Sequence, residues 1–118
     1  MTPEQTALVE RTRALVGDGI PVREVSMFGG RSVMVNDRIL ASALTDGSLL
    51  VRVDAARHDE LVTRPGARQA TMGRGRTMGR GWIEVAAGAV ADEESLAFWV
   101  EAAMDHNRGA ARRDSSVQ

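Results

Sequence analysis

Leu8 and Leu15, and Val9 and Val16, recur at seven-residue spacing and draw one apolar stripe along the start of the chain, the pattern of an amphipathic helix. Thr2-Pro3-Glu4-Gln5 supplies its start: Thr2 as N-cap, Pro3 in the first turn, and Gln5 closing a capping box. Gly17-Asp18-Gly19 and Pro21 stop it. The period then changes. Val22 to Met27 alternates only loosely, Ser32-Val33-Met34-Val35 is a short apolar run, and Ile39 to Leu44 and Leu49 to Val53 are strand-like. Asn36-Asp37 and Asp46-Gly47 separate the last three runs as tight turns. Strands joined by turns this short run antiparallel, because a parallel pair needs a crossover.

Further along, Asp54 can cap a short helix reaching about Val62, with Leu61 and Val62 facing inward, and Arg64-Pro65-Gly66 ends it. Residues 68–72 and 82–87 are each expected as strands, flanking a loop of glycine and arginine. Asp92-Glu93-Glu94 opens a final helix with its acids at the positive end of the helix dipole. Leu96, Trp99, Val100, Ala103 and Met104 mark its buried face. Asn107-Arg108-Gly109 reads as its end, and residues 110–118 read as a disordered tail. The expectation is one α+β domain over residues 1–109 in the order α-βββ-α-ββ-α. Its architecture is a two-layer sandwich, an antiparallel sheet of about five strands covered by helices.

A chain of 118 residues can bury a sizeable core without covalent staples. Cysteine is absent, which removes disulfides, thiolate nucleophiles and cysteine metal sites. His58 and His106 lie far apart and match no ligand spacing. No apolar run approaches the roughly 18 residues of a membrane span, and the start lacks a basic-then-apolar leader, so a cytoplasmic protein without membrane partners is expected. All 15 basic residues are arginine. Between Leu61 and Ile83 lie five of them (Arg64, Arg68, Arg74, Arg76 and Arg80) and no acid, so the rest of this chain of net charge −1 carries −6.

That segment holds a tandem near-repeat, Thr71-Met72-Gly73-Arg74-Gly75-Arg76 and Thr77-Met78-Gly79-Arg80-Gly81-Trp82. Guanidinium forks and glycine backbone N–H groups suit a phosphate, which makes Arg74, Arg76, Arg80 and Trp82 the candidate binding loop. The spacing fits neither the dinucleotide fingerprint nor the P-loop, since no lysine follows the glycines. A solvated hairpin loop and a protein-partner contact are the competing readings; Trp82 beside Gly81 could stack a base or a ligand, but reads first as a core or interface residue. The second motif is Met27-Phe28-Gly29-Gly30, where two glycines at the head of a β run mark either φ > 0 or a close backbone approach. Met27 and Phe28 would be core and edge residues around a bulge, or would line a pocket. For nucleophilic catalysis a serine needs a positioned base, and none of Ser26, Ser32, Ser42 and Ser48 sits in an elbow motif. His58, flanked by Arg57, Asp59 and Glu60, reads as part of a solvated helix face, and Asp92-Glu93-Glu94 as a cap. No catalytic residue, metal ligand or cofactor is expected.

Met27-Phe28-Gly29-Gly30, Leu50-Val51-Arg52-Val53, Arg64-Pro65-Gly66-Ala67-Arg68, Met78 through Trp82 with Ile83-Glu84-Val85, and Leu96 with Trp99 together carry a resemblance. In this order and spacing they resemble the N-terminal domain of the TfoX/Sxy competence-regulator family over about residues 20–105. Two departures stand out: Gly79 intervenes between Met78 and Arg80, where the family runs Met-Arg-Gly-aromatic, and Val33 stands where an aromatic is common. The resemblance implies the α+β fold above, a regulatory association and no assigned catalytic residue. Full-length regulators carry a second, C-terminal domain that this chain is too short to hold, so a stand-alone domain is expected. The expected function is a non-catalytic regulatory or protein-interaction module with an unidentified protein partner, self-association as a homodimer included. The alternative is a nucleic-acid or phosphate binder acting through the Arg/Gly loop 64–81. Nucleic-acid binding would be weak, since the remainder of the chain is acidic and aromatics make up only 3% of it.

Overall fold

The computed structural model describes residues 2–27, 30–72 and 75–116. Helix α1 (Pro3–Val16) starts as its sequence dictates. The Gln5 amide donates to Thr2 Oγ1 at 3.1 Å and the Thr2 amide donates to Gln5 Oε1 at 2.9 Å, a complete capping box. The same Gln5 side chain donates to the carbonyl of Ala43 at 2.9 Å, so the cap also fixes the helix to the sheet.

The sheet has six antiparallel strands in the order β1 (Val22–Met27), β2 (Gly30–Val35), β3 (Arg38–Leu44), β4 (Leu49–Arg52), β8 (Trp82–Val85), β5 (Ala67–Gln69). A separate ribbon pairs β6 (Thr71–Met72) with β7 (Arg76–Thr77). The β2–β3 turn is the two-residue hairpin that Asn36-Asp37 announces, both residues standing at positive φ (54° and 62°). Two readings need correction here. The loosely alternating Val22–Met27 is a full strand, raising the main sheet from about five strands to six. The expected strand 68–72 is split into β5 and β6, and the arginine loop itself folds back as β7.

Helices α1 and α3 (Glu93–Ser116) touch each other and pack on the central strands β2 to β4. Strand alternation sorts the sheet residues into two sets. Val33, Ala41, Ala43, Leu49, Val51, Ile83 and Val85 join the helices in one core. The alternate positions line up across all six strands on the other face: Val25, Ser32, Ser42, Leu50, Glu84 and Arg68 are successive partners. Within that row the buried Ser32 and Ser42 hydroxyls are hydrogen-bonded to each other, and Arg68 donates to Glu84.

Helix α3 begins at the expected place, with the Ser95 amide donating to Asp92 Oδ2 at 2.9 Å. That bond, foremost, holds the Asp92 carboxyl below its ordinary range. Leu96, Trp99, Val100, Ala103 and Met104 are all buried. The helix does not stop at Asn107-Arg108-Gly109 but runs on to Ser116, through most of the stretch read as a tail. Asn107 is in phase with Ala103 and Met104 and buried. Its amide donates to the Val35 carbonyl at 2.9 Å and accepts from Asn36 Nδ2 at 3.0 Å. A polar residue satisfied against the sheet leaves the helix free to continue, and Ala110 extends the buried stripe one turn further.

Two outcomes follow from this packing. Trp99 sits mid-stripe and edge-on to Phe98, ring centroids 5.4 Å apart, so Trp99→Ala should cost about 3–5 kcal/mol in denaturant unfolding. A cost under about 1 kcal/mol would show that α3 is not docked as described. The second concerns Glu24 on β1, which pairs with Arg13 of α1 and with Arg31 of β2. The Arg13 hydrogen bond is the largest influence on its carboxyl and holds it below the ordinary value of 4.5, against an opposing effect of burial. A carboxyl lowered in the folded state stabilises above its unfolded value and loses that contribution as pH falls through the folded one. Stability should therefore decline on acidification below 4.5, and Glu24→Gln should flatten that part of the profile in pH-dependent unfolding.

Candidate functional site

The second glycine loop is built around Gly81. Its φ is +93°, and a Cβ there would collide with the Arg52 guanidinium and the Val53 carbonyl oxygen, so only glycine fits. Its carbonyl accepts from the Val53 amide at 2.8 Å, continuing the β4–β8 pairing by one residue. Its N–H donates to Nδ1 of His58 at 2.8 Å. His58 lies in α2 (His58–Leu61), which follows a single 3-10 turn (Ala55–Arg57) capped by Asp54, the Ala56 amide donating to Asp54 Oδ1 at 2.9 Å. The solvated-face reading of His58 is thus corrected: the ring is buried and accepts a backbone N–H, which leaves the proton of the neutral imidazole on Nε2.

The neighbours of Gly81 are held as firmly. Arg80 forks onto Asp59, its Nη1 and Nη2 donating to the two carboxylate oxygens at 2.8 and 3.2 Å, and Nη2 also reaches the Ala55 carbonyl at 3.3 Å. Hydrogen bonding from Arg80, followed by its charge, holds the Asp59 carboxyl below its ordinary range. Trp82 starts β8 directly opposite Arg52 of β4, whose guanidinium lies 5.1 Å from the indole centroid and donates to the Arg80 carbonyl at 3.3 Å. Desolvation lowers the Arg52 pKa, with the Asp54 charge opposing, and the guanidinium stays a cation throughout the working range. Gln69 closes the other side, its Nε2 donating to the carbonyls of Gly79, Ala70 and Trp82 at 3.0 to 3.3 Å.

The segment that carried +5 in the sequence is therefore largely engaged within the fold. Arg64 lies 3.6 Å from the Phe98 ring centroid, Arg68 pairs with Glu84, and Arg80 pairs with Asp59. Glu84, through hydrogen bond and charge, raises the Arg68 pKa further. Of the candidate binding residues, Arg80 and Trp82 come together at this clamp. Arg76 stands apart and exposed on β7, and Arg74 lies outside the described residues. Arg52, His58 and Asp59 complete the constellation, and the sequence did not place them at this loop. The Arg52–Trp82 pairing was in principle readable from strand register, whereas nothing in the sequence ties His58 to a glycine 23 residues away.

In the other motif, Phe28 and Gly29 lie outside the described residues. Met27 and Gly30 are paired across β1 and β2. Gly30 meets its requirement by close approach: a Cβ would fall inside contact distance of the Ala43 carbonyl on β3. Among the described residues there is no grouping of three or more His, Cys, Asp or Glu side chains able to hold a metal, and no helix is long and apolar enough to cross a membrane.

If the clamp is built as described, His58→Ala should leave the buried Gly81 N–H without an acceptor and cost about 1–3 kcal/mol of stability. Arg76→Ala, on the exposed ribbon, should stay within about 0.5 kcal/mol. Denaturant unfolding of the two variants side by side checks both, and equal effects would contradict the assignment of His58.

Among curated proteins no match to the chain is found. The TfoX N-terminal domain model matches residues 14–107, which span α1 from its last turn, the whole sheet, the Gly81 clamp and the buried stripe of α3 as far as Asn107. The chain belongs to the TfoX N-terminal domain family.

Proposed function

We propose that the protein is a non-catalytic regulatory module that works by binding another protein. Family membership supports a regulatory, competence-associated role in general terms. The observation that carries the protein-binding reading over a phosphate-binding one is where the arginines go. Arg64, Arg68 and Arg80 are committed to Phe98, Glu84 and Asp59, so the loop does not present five convergent guanidinium groups. Duplex binding grows with the number of phosphates that free Lys and Arg side chains neutralise, and the remainder of the chain is acidic. His58, the one buried histidine, is occupied as an acceptor for Gly81 and is not poised as a general base.

The reading is tested by capture from native lysate at low salt and at about 0.5 M salt, where phosphate-driven contacts weaken steeply. A protein partner retained at high salt is the expected result. In parallel, a random duplex of about 30 base pairs should not shift at low-micromolar protein in about 150 mM salt. A clear shift that is abolished by Arg74, Arg76 and Arg80 changed together to Ala, with the fold intact, would replace this reading with nucleic-acid binding.

A further inference from the structure

The strand order leaves two edges, β1 and β5, and they are not equivalent. Strand β5 has three residues and runs almost directly into the β6–β7 ribbon. Strand β1 has six, pairs with β2 along its whole length from Val22↔Val35 to Met27↔Gly30, and no described strand lies on its outer side. A long edge presents N–H and C=O groups at alternate residues to any further strand. Met27, at its end, is 40% exposed and is the one large hydrophobic exposed to that degree among the described residues.

We propose that β1 is a self-association edge, where β1 of a second copy adds antiparallel with Val25 facing Val25 across the two-fold axis. The register follows from charge. A two-fold normal to the sheet keeps each face continuous, so directly opposed residues must share a face and the axis, midway between the strands, must set one residue opposite its own copy. Centred on Glu24 it would set each Glu24, with its own Arg13 and Arg31, directly against its like and form no new opposite-charge pair across the axis. Centred on Ser26 it would pair only Val25 to Met27 within the strand.

Centred on Val25 it brings five residues into register, with an apolar pair on the axis. On the helix-bearing face Glu24 then lies opposite the second copy's Ser26. Arg31 on β2 already donates to Ser26 Oγ at 3.2 Å and to Glu24 at 3.3 Å. Each Arg31 therefore comes into line with the second copy's Glu24, one opposite-charge pair on either side of the axis. On the other face the aliphatic stem of Arg23 lies along the second copy's Met27, covering the exposed thioether. This inference stands apart from heterologous partner binding: a chain that stays monomeric can still capture another protein.

The absence of cysteine makes a direct test available, because Val25→Cys introduces a single thiol. Directly opposed residues of an antiparallel pair have Cα atoms about 4.5–5.5 Å apart, within the roughly 4.4–6.8 Å that a disulfide spans. The full-length chain should sediment as a concentration-dependent dimer between about 10 and 100 μM. Under mild oxidation Val25→Cys should cross-link at least about tenfold faster than Arg23→Cys or Ser26→Cys, each kept folded by circular dichroism. Val25→Lys, which sets two ammonium groups across the axis, should return the protein to monomer with its circular dichroism unchanged. A monomer throughout that concentration range overturns the proposal. So does a dimer in which Val25→Cys cross-links no faster than the two flanking variants.

Discussion

The pairing of β4 with β8 is the constraint on which the rest of the structure depends. It joins the N-terminal meander, built from short hairpins, to a strand roughly 30 residues further on, and closing a loop of that length costs on the order of 3 kcal/mol. Leu49 and Val51 from one strand meet Val85 and Ile83 from the other, all at 1% exposure or less. Full burial of a side chain of this size contributes about 1.5–3 kcal/mol, so two of the four offset the closure. The pairing is extended by the Val53–Gly81 hydrogen bond and locked by His58. Once it forms, the positions of α2, β5 and the ribbon between its strands follow. So does the surface onto which α3 lays Leu96, Trp99 and Val100.

What could be read in the sequence was local. The Thr2–Gln5 capping box, the Asn36-Asp37 turn and the α3 stripe each depend on residues within a few positions of one another, and the structure contains each of them. The misreadings share a different cause. Val22–Met27 lacks a clean alternation because Glu24 and Ser26 point to the helix side of the sheet, where Arg13 and Arg31 receive them. Its strand character is imposed by β2, not by its own pattern. Asn107 looked like a stop signal because asparagine favours helix ends, and Val35, 72 positions away, removed that preference by accepting its N–H. His58 had charged neighbours on both sides, and only the arrival of Gly81 made it a buried acceptor. Each misreading was local chemistry overridden by a partner distant in the chain.

The arginine-rich segment shows the same limit in electrostatic terms. Its charge could be counted from composition, but what that charge does was settled by geometry. Asp59, Glu84 and Phe98 come from α2, β8 and α3, three elements whose convergence is a property of the fold. Exposed ion pairs contribute little individually, so these contacts matter less as stabilisers than as devices that orient the loop. Arg80 turned onto Asp59 and Arg52 stacked on Trp82 fix the backbone at Gly81 from both sides. Such a loop is a shaped surface more than a flexible cationic one.

The two faces of the sheet explain why its two edges differ in consequence. One face carries α1 and α3, and the other carries a row that runs from Val25 through the bonded serines to the Glu84–Arg68 pair. At the β5 end this row closes on an ion pair, and the chain turns away into the ribbon, which blunts that edge as charged residues and short strands commonly do. At the β1 end it stops on an apolar residue, with the Glu24 and Arg31 charges on the opposite face already mutually paired. A strand added there meets no uncompensated charge, prolongs the helix-covered face on one side and continues the row on the other. The same addition at β5 would find only three residues to pair with and would bring the Arg68–Glu84 ion pair to the seam. The asymmetry therefore lies in what terminates the cross-strand row, and it is the ground on which we propose self-association at β1 rather than at β5.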